Sequence, residues 1–210
     1  MATSESATGI ILRTRPFTET SLIVNWLTAE QGRISTVARG ARRPKSPFTG
    51  KLDLFYLADL SFARSQRSEL HTLREINLRE THHSLREELG YLQQAAYCAA
   101  LVEQATEPDT PLPDIFELMR SLLTHLPRQA PLPQTTFVFE LKLLDALGLS
   151  PDLADARLTP GARQIARLLL NGDWPASSRL KLSDAQVAEL RRFLHGFLIF
   201  HLGKIPKGRH

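Results

Sequence analysis

One cysteine, Cys98, is the only thiol among the 210 residues. It excludes an internal disulfide and any cysteine-rich zinc site, so stability must come from packing, and a reducing compartment suits this usage. No apolar run approaches the roughly 18 residues that a bilayer span requires. The opening residues MATSESATG lack the basic and apolar parts of a secretion signal, so the expected location is the cytoplasm. Enzyme signatures are equally scarce. The chain has no GxxxxGK[ST] phosphate loop, no HExxH zinc pair and no GxSxG elbow. Cys98 sits on an apolar helical pattern where a packed thiol is expected rather than a nucleophile. His195 and His201 are six residues apart, an offset that points two side chains of a helix in different directions and disfavours a shared metal. A non-enzymatic protein without a cofactor is the expectation.

Acidic charge is unevenly absent. Residues 1–80 carry 12 Lys/Arg against 8 Asp/Glu, residues 81–160 carry 5 against 11, and residues 161–210 carry 9 against 3, giving the net +4. Basic ends around an acidic middle suit a polyanion partner, and they also suit ordinary solvated faces.

The first eighty residues show two-residue alternation. In TGIILRTR, Ile10, Leu12 and Thr14 fall on one face and Ile11, Arg13 and Arg15 on the other. A turn at Pro16–Glu19 leads to TSLIVNWLT, and Glu30–Gly32 turns the chain into RISTVAR. DLFYLADLSFA and ELHTLREINL follow; in the latter, Leu70, Thr72, Arg74 and Ile76 alternate with His71, Leu73, Glu75 and Asn77. Five strands are the count of a small Greek-key barrel of the OB type. From about Thr81 the apolar spacing becomes helical. Helices are expected from Leu85 to Thr106, after Asp114 as a cap, over 134–147 with Gly148 as the stop, after Thr159, and after Ser183. The predicted fold class is α+β, with an OB-type barrel over 1–80 and an α-helical domain with a basic tail over 81–210.

Between the third and fourth strands lies RGARRPKSPFTGK, with five basic residues, no acid and one aromatic. Phosphates require Lys and Arg within hydrogen-bonding reach, and unstacked bases require flat apolar groups. Arg39, Arg42, Arg43, Lys45 and Lys51 meet the first need. Phe48 is either a stacking platform or a plug on the barrel. Gly40, Pro44, Pro47 and Gly50 make the segment a loop able to meet a ligand. Trp26, Phe55 and Tyr56 lie inside strand patterns and are expected in the core.

The run RPFTETSLIVNWLTAEQGRISTVARGARRPKS, the later RSELHTLREINL, FELKLLDALGLSPDL and the tail HLGKIPKGRH together resemble the RecO family of bacterial recombination mediators along nearly the whole chain. The resemblance implies an OB barrel joined to a helical domain in a cytoplasmic, nucleoid-associated protein. It also implies binding of single- and double-stranded DNA, annealing of complementary strands, and action with RecR to place RecA on DNA covered by single-strand-binding protein, whose acidic tail is a further partner. Carried onto this chain, the DNA-binding residues are Arg39, Arg42, Arg43, Lys45, Phe48 and Lys51, with Arg13, Arg15, Arg33 and Arg74 on neighbouring strands. Lys204, Lys207 and Arg209 form a second candidate contact, and Arg120, Arg128 and Lys142 are candidates for the tail peptide. Many members carry four zinc-binding cysteines after the Gly-x-x-Pro turn; here DLADARLTPGARQIARLL stands instead, so that module is missing. Two other classes fit the residues alone: an adaptor docking acidic peptides, and an RNA-binding OB factor.

Overall fold

In the computed structural model, which describes residues 4–154 and 156–209, the chain opens with five strands. These are β1 (Ser4–Pro16), β2 (Leu22–Thr28), β3 (Gly32–Ala38), β4 (Leu57–Ala63) and β5 (Leu70–Glu80). They close in the order β1-β2-β3-β5-β4, with β4 returning to β1. The β3–β5 pairing is parallel and holds only Ser35↔Leu70, Thr36↔His71 and Val37↔Thr72, while the others are antiparallel. This is the OB-type closure that the strand count predicts. Trp26, Ile34, Leu60, Phe62, Leu73 and Ile76 fill the interior. The indole Nε1–H of Trp26 donates to Thr36 Oγ1 at 2.9 Å, so its one polar atom is satisfied inside.

Strict alternation fails at bulges on β1 and β5. On β1, Ile11 faces Trp26 and Arg13 faces Asn25, so Leu12 is an extra residue, and Ile10, Ile11 and Leu12 are all buried. On β5, a shift against Ser61/Phe62 puts both Leu73 and Ile76 in the core and leaves Arg74 and Glu75 exposed, which corrects the predicted faces. The fourth strand starts only at Leu57. Phe55 has φ 66°, a left-handed value that interrupts extension, and its N–H donates to Ile11 O at 2.8 Å while Ile11 N–H donates to Tyr56 O at 3.0 Å. Trp26 and Phe55 are buried as expected, and Tyr56 is half-buried against the core.

The chain divides into two compact units. One comprises the chain up to His83 with Thr106–Arg120, the other Ser84–Ala105 with Ser121 onward. In the first unit, the segment after Thr106 lies along β3: Arg33 bridges to Pro108 in parallel sense, and Asp109 N–H donates to Arg33 O at 2.9 Å. Gly32 makes this approach feasible. Its φ is 68°, and a Cβ there would sit 1.9 Å from Thr110 O.

The helices are α1 (Leu89–Ala105), α2 (Pro113–His125), α3 (Pro133–Ala146), α4 (Pro160–Asn171), α5 (Trp174–Arg179) and α6 (Asp184–Leu202). A 3-10 turn at His83–Arg86 precedes α1, which therefore starts later than its apolar pattern suggests. Pro113 opens α2, placing Asp114 in the first turn, where its charge still favours the helix dipole, and not at the cap. Thr159 caps α4, and Ser183 with Gln186 forms a capping box on α6. The short α5, capped by Asp173, was not expected from periodicity.

The second unit carries a buried ion pair. Arg209 Nε and Nη2 each donate to a different oxygen of Glu140 on α3, both at 2.7 Å, and Tyr97 O–H donates to Glu140 Oε1 at 2.6 Å. Burial, then the Glu140 charge, pushes the Tyr97 phenol far up, which keeps it a donor. Glu140 is fully buried on its helix, so removing Arg209 would strand it. Arg209→Ala is expected to destabilise this unit by about 3–5 kcal/mol. Urea unfolding followed by helical circular dichroism checks this, and Glu140→Gln added to Arg209→Ala should recover part of the loss.

Candidate nucleic-acid interface

RGARRPKSPFTGK forms most of the β3–β4 connection, and it is a series of turns. Arg43 N–H donates to Gly40 O at 3.0 Å, Ser46 N–H to Arg43 O at 3.1 Å, Thr49 N–H to Ser46 O at 3.2 Å and Lys51 N–H to Phe48 O at 3.0 Å. Phe48, only 7% exposed, is packed into the barrel cluster. The ring is therefore the plug that fastens the loop, and its place among stacking candidates is corrected: a buried face has no room for a base. With Phe48 inside, Arg39, Arg43 and Lys45 of the same loop stay exposed.

The groove beside this loop has a volume of about 1000 Å³. Its lining comes from the β1–β2 loop (Phe17, Thr18, Thr20, Ser21), the β3–β4 loop (Arg39, Gly40, Arg43), the β4–β5 loop (Ser65, Ser68) and β5 (Thr72, Arg74). Val37 pairs with Thr72 across the parallel seam, so the two strands run together toward Arg39 and Arg74. Two of these, the β1–β2 and β4–β5 loops, are loops with which OB barrels bind oligonucleotides.

The barrel's cations fall into two groups. Arg64 donates to Glu5 at 2.7 Å, to Asp109 at 2.8 Å and to Gln31 at 2.9 Å; Arg79 donates to Asp59 at 2.7 Å. The Arg64 hydrogen bond holds the Glu5 carboxyl below its usual range, and Arg79 does the same for Asp59. Arg33 is engaged by Thr106 at 2.8 Å through Oγ1 and at 2.5 Å through its carbonyl, a structural role and not a surface one. By contrast, Arg39, Arg43, Lys45 and Arg74 are exposed, and no carboxylate lies within ion-pair distance of them among the described residues. Arg13 and Arg15 are exposed on β1, opposite Asn25 and Ile23. Lys51 is half-buried, with Nζ 3.4 Å from Ile76 O, and shares with Arg74 a smaller hollow of about 170 Å³. Arg42 is exposed, yet its Nη1 donates to Thr18 O at 3.3 Å and its N–H to Thr20 O at 2.9 Å.

The remaining candidates are dispersed. Lys204 and Lys207 are exposed on the tail, but Arg209 is held by Glu140 and is not free for phosphate. Arg120, in the first unit, pairs with Glu117 at 2.6 Å; Arg128 is exposed and Lys142 half-buried in the second. Phe17 escaped the sequence reading. It is 54% exposed at the groove, and the available signal was its position in a polar turn, RPFTET, outside any strand pattern.

His71 sits beneath the β4–β5 loop, 2% exposed and stacked on Phe62 at 5.3 Å. Its Nδ1 accepts the Ser65 N–H at 3.2 Å, which leaves the ring proton on Nε2, near Arg64 at 3.4 Å and Asp109 at 3.9 Å. Burial, then the Arg64 charge, pulls its pKa below 6.5, outweighing Asp109 and Glu5. The unfolded chain then binds the extra proton more readily than the fold does. Stability of the barrel unit is expected in full above about pH 6.5 and to fall with acidification through the lowered folded value, by up to about 1.4 kcal/mol per pH unit. Urea midpoints read from Trp26 emission in a Trp174→Phe background check this, and His71→Gln should flatten the profile.

Comparison with known proteins yields two family profiles, described as Recombination protein O N terminal over residues 1–82 and Recombination protein O C terminal over residues 86–156. The chain is 36% identical to the DNA repair protein RecO of Bacillus subtilis over 145 residues, which are 69% of this chain and 56% of that protein. Against the protein of that name from Bacillus pumilus it is 30% identical over 205 residues, 94% of this chain and 79% of the relative. Against that from Rhodopirellula baltica it is 34% identical over 158 residues, 75% and 58%. The chain thus spans little more than half the length of some curated relatives and about four-fifths of another.

Proposed function

This chain belongs to the RecO family, and from that premise we propose that it is a DNA repair and recombination mediator that binds single- and double-stranded DNA through residues 1–80 and anneals complementary strands. The reading rests on one observation above the others: Arg39, Arg43 and Arg74 line a single groove of an OB-type barrel with no carboxylate partner among the described residues, while Arg64, which also lines it, is paired with Glu5 and Asp109. Unpaired cations held close together repel one another, and a phosphate backbone relieves that repulsion while releasing its own counterions.

Annealing requires no catalysis. Two strands repel through their phosphates; cations that neutralise both raise their local concentration, and Watson–Crick pairing supplies the sequence check. In this reading Lys45, Arg13, Arg15 and Lys51 extend the barrel contact, and Lys204 and Lys207 of the helical domain, residues 81–210, offer a second one. Cooperation with RecR in placing RecA, and docking of the acidic tail of single-strand-binding protein near Arg128 or Lys142, are proposed on the family premise.

The test is binding of a single-stranded oligonucleotide across a salt series, with annealing of short complementary strands alongside. Wild-type affinity should fall steeply with salt. The Arg39→Ala, Arg43→Ala, Arg74→Ala triple variant should weaken binding regardless of sequence, lower the salt slope by about two, at roughly 0.7 per phosphate contact, and slow annealing. A triple variant with wild-type affinity and slope would remove the groove as the DNA site.

A further inference from the structure

Charge accounts for the phosphates of a bound strand and leaves its bases unaddressed. Phe17 is the one phenylalanine or tryptophan of the first unit that is exposed; Trp26, Phe48, Phe55, Phe62 and Phe116 are all buried. A lone exposed ring needs no explanation by itself, but this one lines the groove that also holds Arg39, Arg43 and Arg74. It is also carried on a closed turn. Phe17 N–H donates to Ser21 O at 3.0 Å, and Ser21 N–H donates to Thr18 Oγ1 at 3.1 Å. The basic loop braces that turn from outside through the two Arg42 hydrogen bonds, to Thr20 O and Thr18 O. A ring displayed from a preorganised turn loses little entropy when a flat partner lands on it.

We propose that Phe17 is the stacking platform for an unpaired base of single-stranded DNA, and that Arg42 is a positioning residue that fixes the Phe17 turn instead of a phosphate ligand. The proposal rests on the DNA-binding reading of the same groove and adds what distinguishes a single strand from a duplex there. Stacking is sequence-tolerant because every base has a π-face. In a duplex those faces are already occupied by neighbouring pairs. A base held by its face keeps its hydrogen-bonding edge open to an incoming complementary strand, which suits annealing.

The experiment measures full-length protein binding to a fluorescent oligo-dT and to a duplex of equal length, each across a salt series. Phe17→Ala should bind the single strand about five-fold or more weakly, from the usual worth of a base–aromatic stack, with an unchanged salt slope and nearly unchanged duplex affinity. Phe17→Trp should retain affinity, with added indole emission that is quenched when oligo-dT binds. Arg42→Lys, which keeps the charge and loses the fork donor to Thr18, should reproduce part of the Phe17→Ala loss, again at constant slope. Wild-type single-strand affinity in Phe17→Ala, or an equal loss on duplex, would overturn the stacking role. A lowered salt slope in Arg42→Lys would overturn the positioning role. The arginine triple variant separates the two levels: if it weakens binding while Phe17→Ala does not, only the stack fails, and if neither variant has an effect, the groove itself is not the site.

Discussion

Three residue pairs close the barrel. Ser35↔Leu70, Thr36↔His71 and Val37↔Thr72 are the whole of the parallel contact between β3 and β5, and a parallel pair can form only after the chain has made a long excursion. That excursion contains the basic β3–β4 loop, β4 and the β4–β5 loop. Within the seam, Thr36 accepts the hydrogen bond of the central indole and His71 anchors the β4–β5 loop through Ser65. Outside it, strands separated by more than thirty residues deliver Arg39 and Arg74 to one groove. Weakening the seam would therefore disturb the core, the loop and the cation spacing together.

The groove's positive character arises from selective pairing and not from sheer number of cations. Glu5 and Asp109 meet Arg64 and Asp59 meets Arg79, each with a short charge-assisted hydrogen bond, and Arg33 spends its donors on Thr106. Those arginines tie the first unit together. Residues 39–51 of the β3–β4 loop contain no acid to perform the same service for Arg39, Arg43 and Lys45. Phe48 makes this arrangement stable: burying one ring anchors a loop that would otherwise extend to separate its charges.

Much of this architecture was legible in the sequence because strand alternation and helix capping are local. The strands, the Gly32 turn, and the Thr159 and Ser183 caps need only neighbours within a few residues to be recognised. The bulges at Leu12 and Arg74 were not legible, since an inserted residue is defined by the strand across from it. Phe48 lies in a loop without periodicity, so nothing local distinguishes a plug from a platform. Arg209 reads as one more basic tail residue until its partner, 69 positions away, is seen to be Glu140. The misassigned residues share that property: a partner distant in sequence decides each role.

The buried thiol of Cys98 has a practical side. It is fully enclosed, and burial pushes its pKa well above 9.0, so it is neither accessible nor ionised in the folded chain. Because it is the only cysteine, thiol reagents find the native protein silent and label it only during openings of the helical unit. The chain thus carries its own reporter of local opening, and a cysteine introduced on the barrel surface would be modified against a dark background.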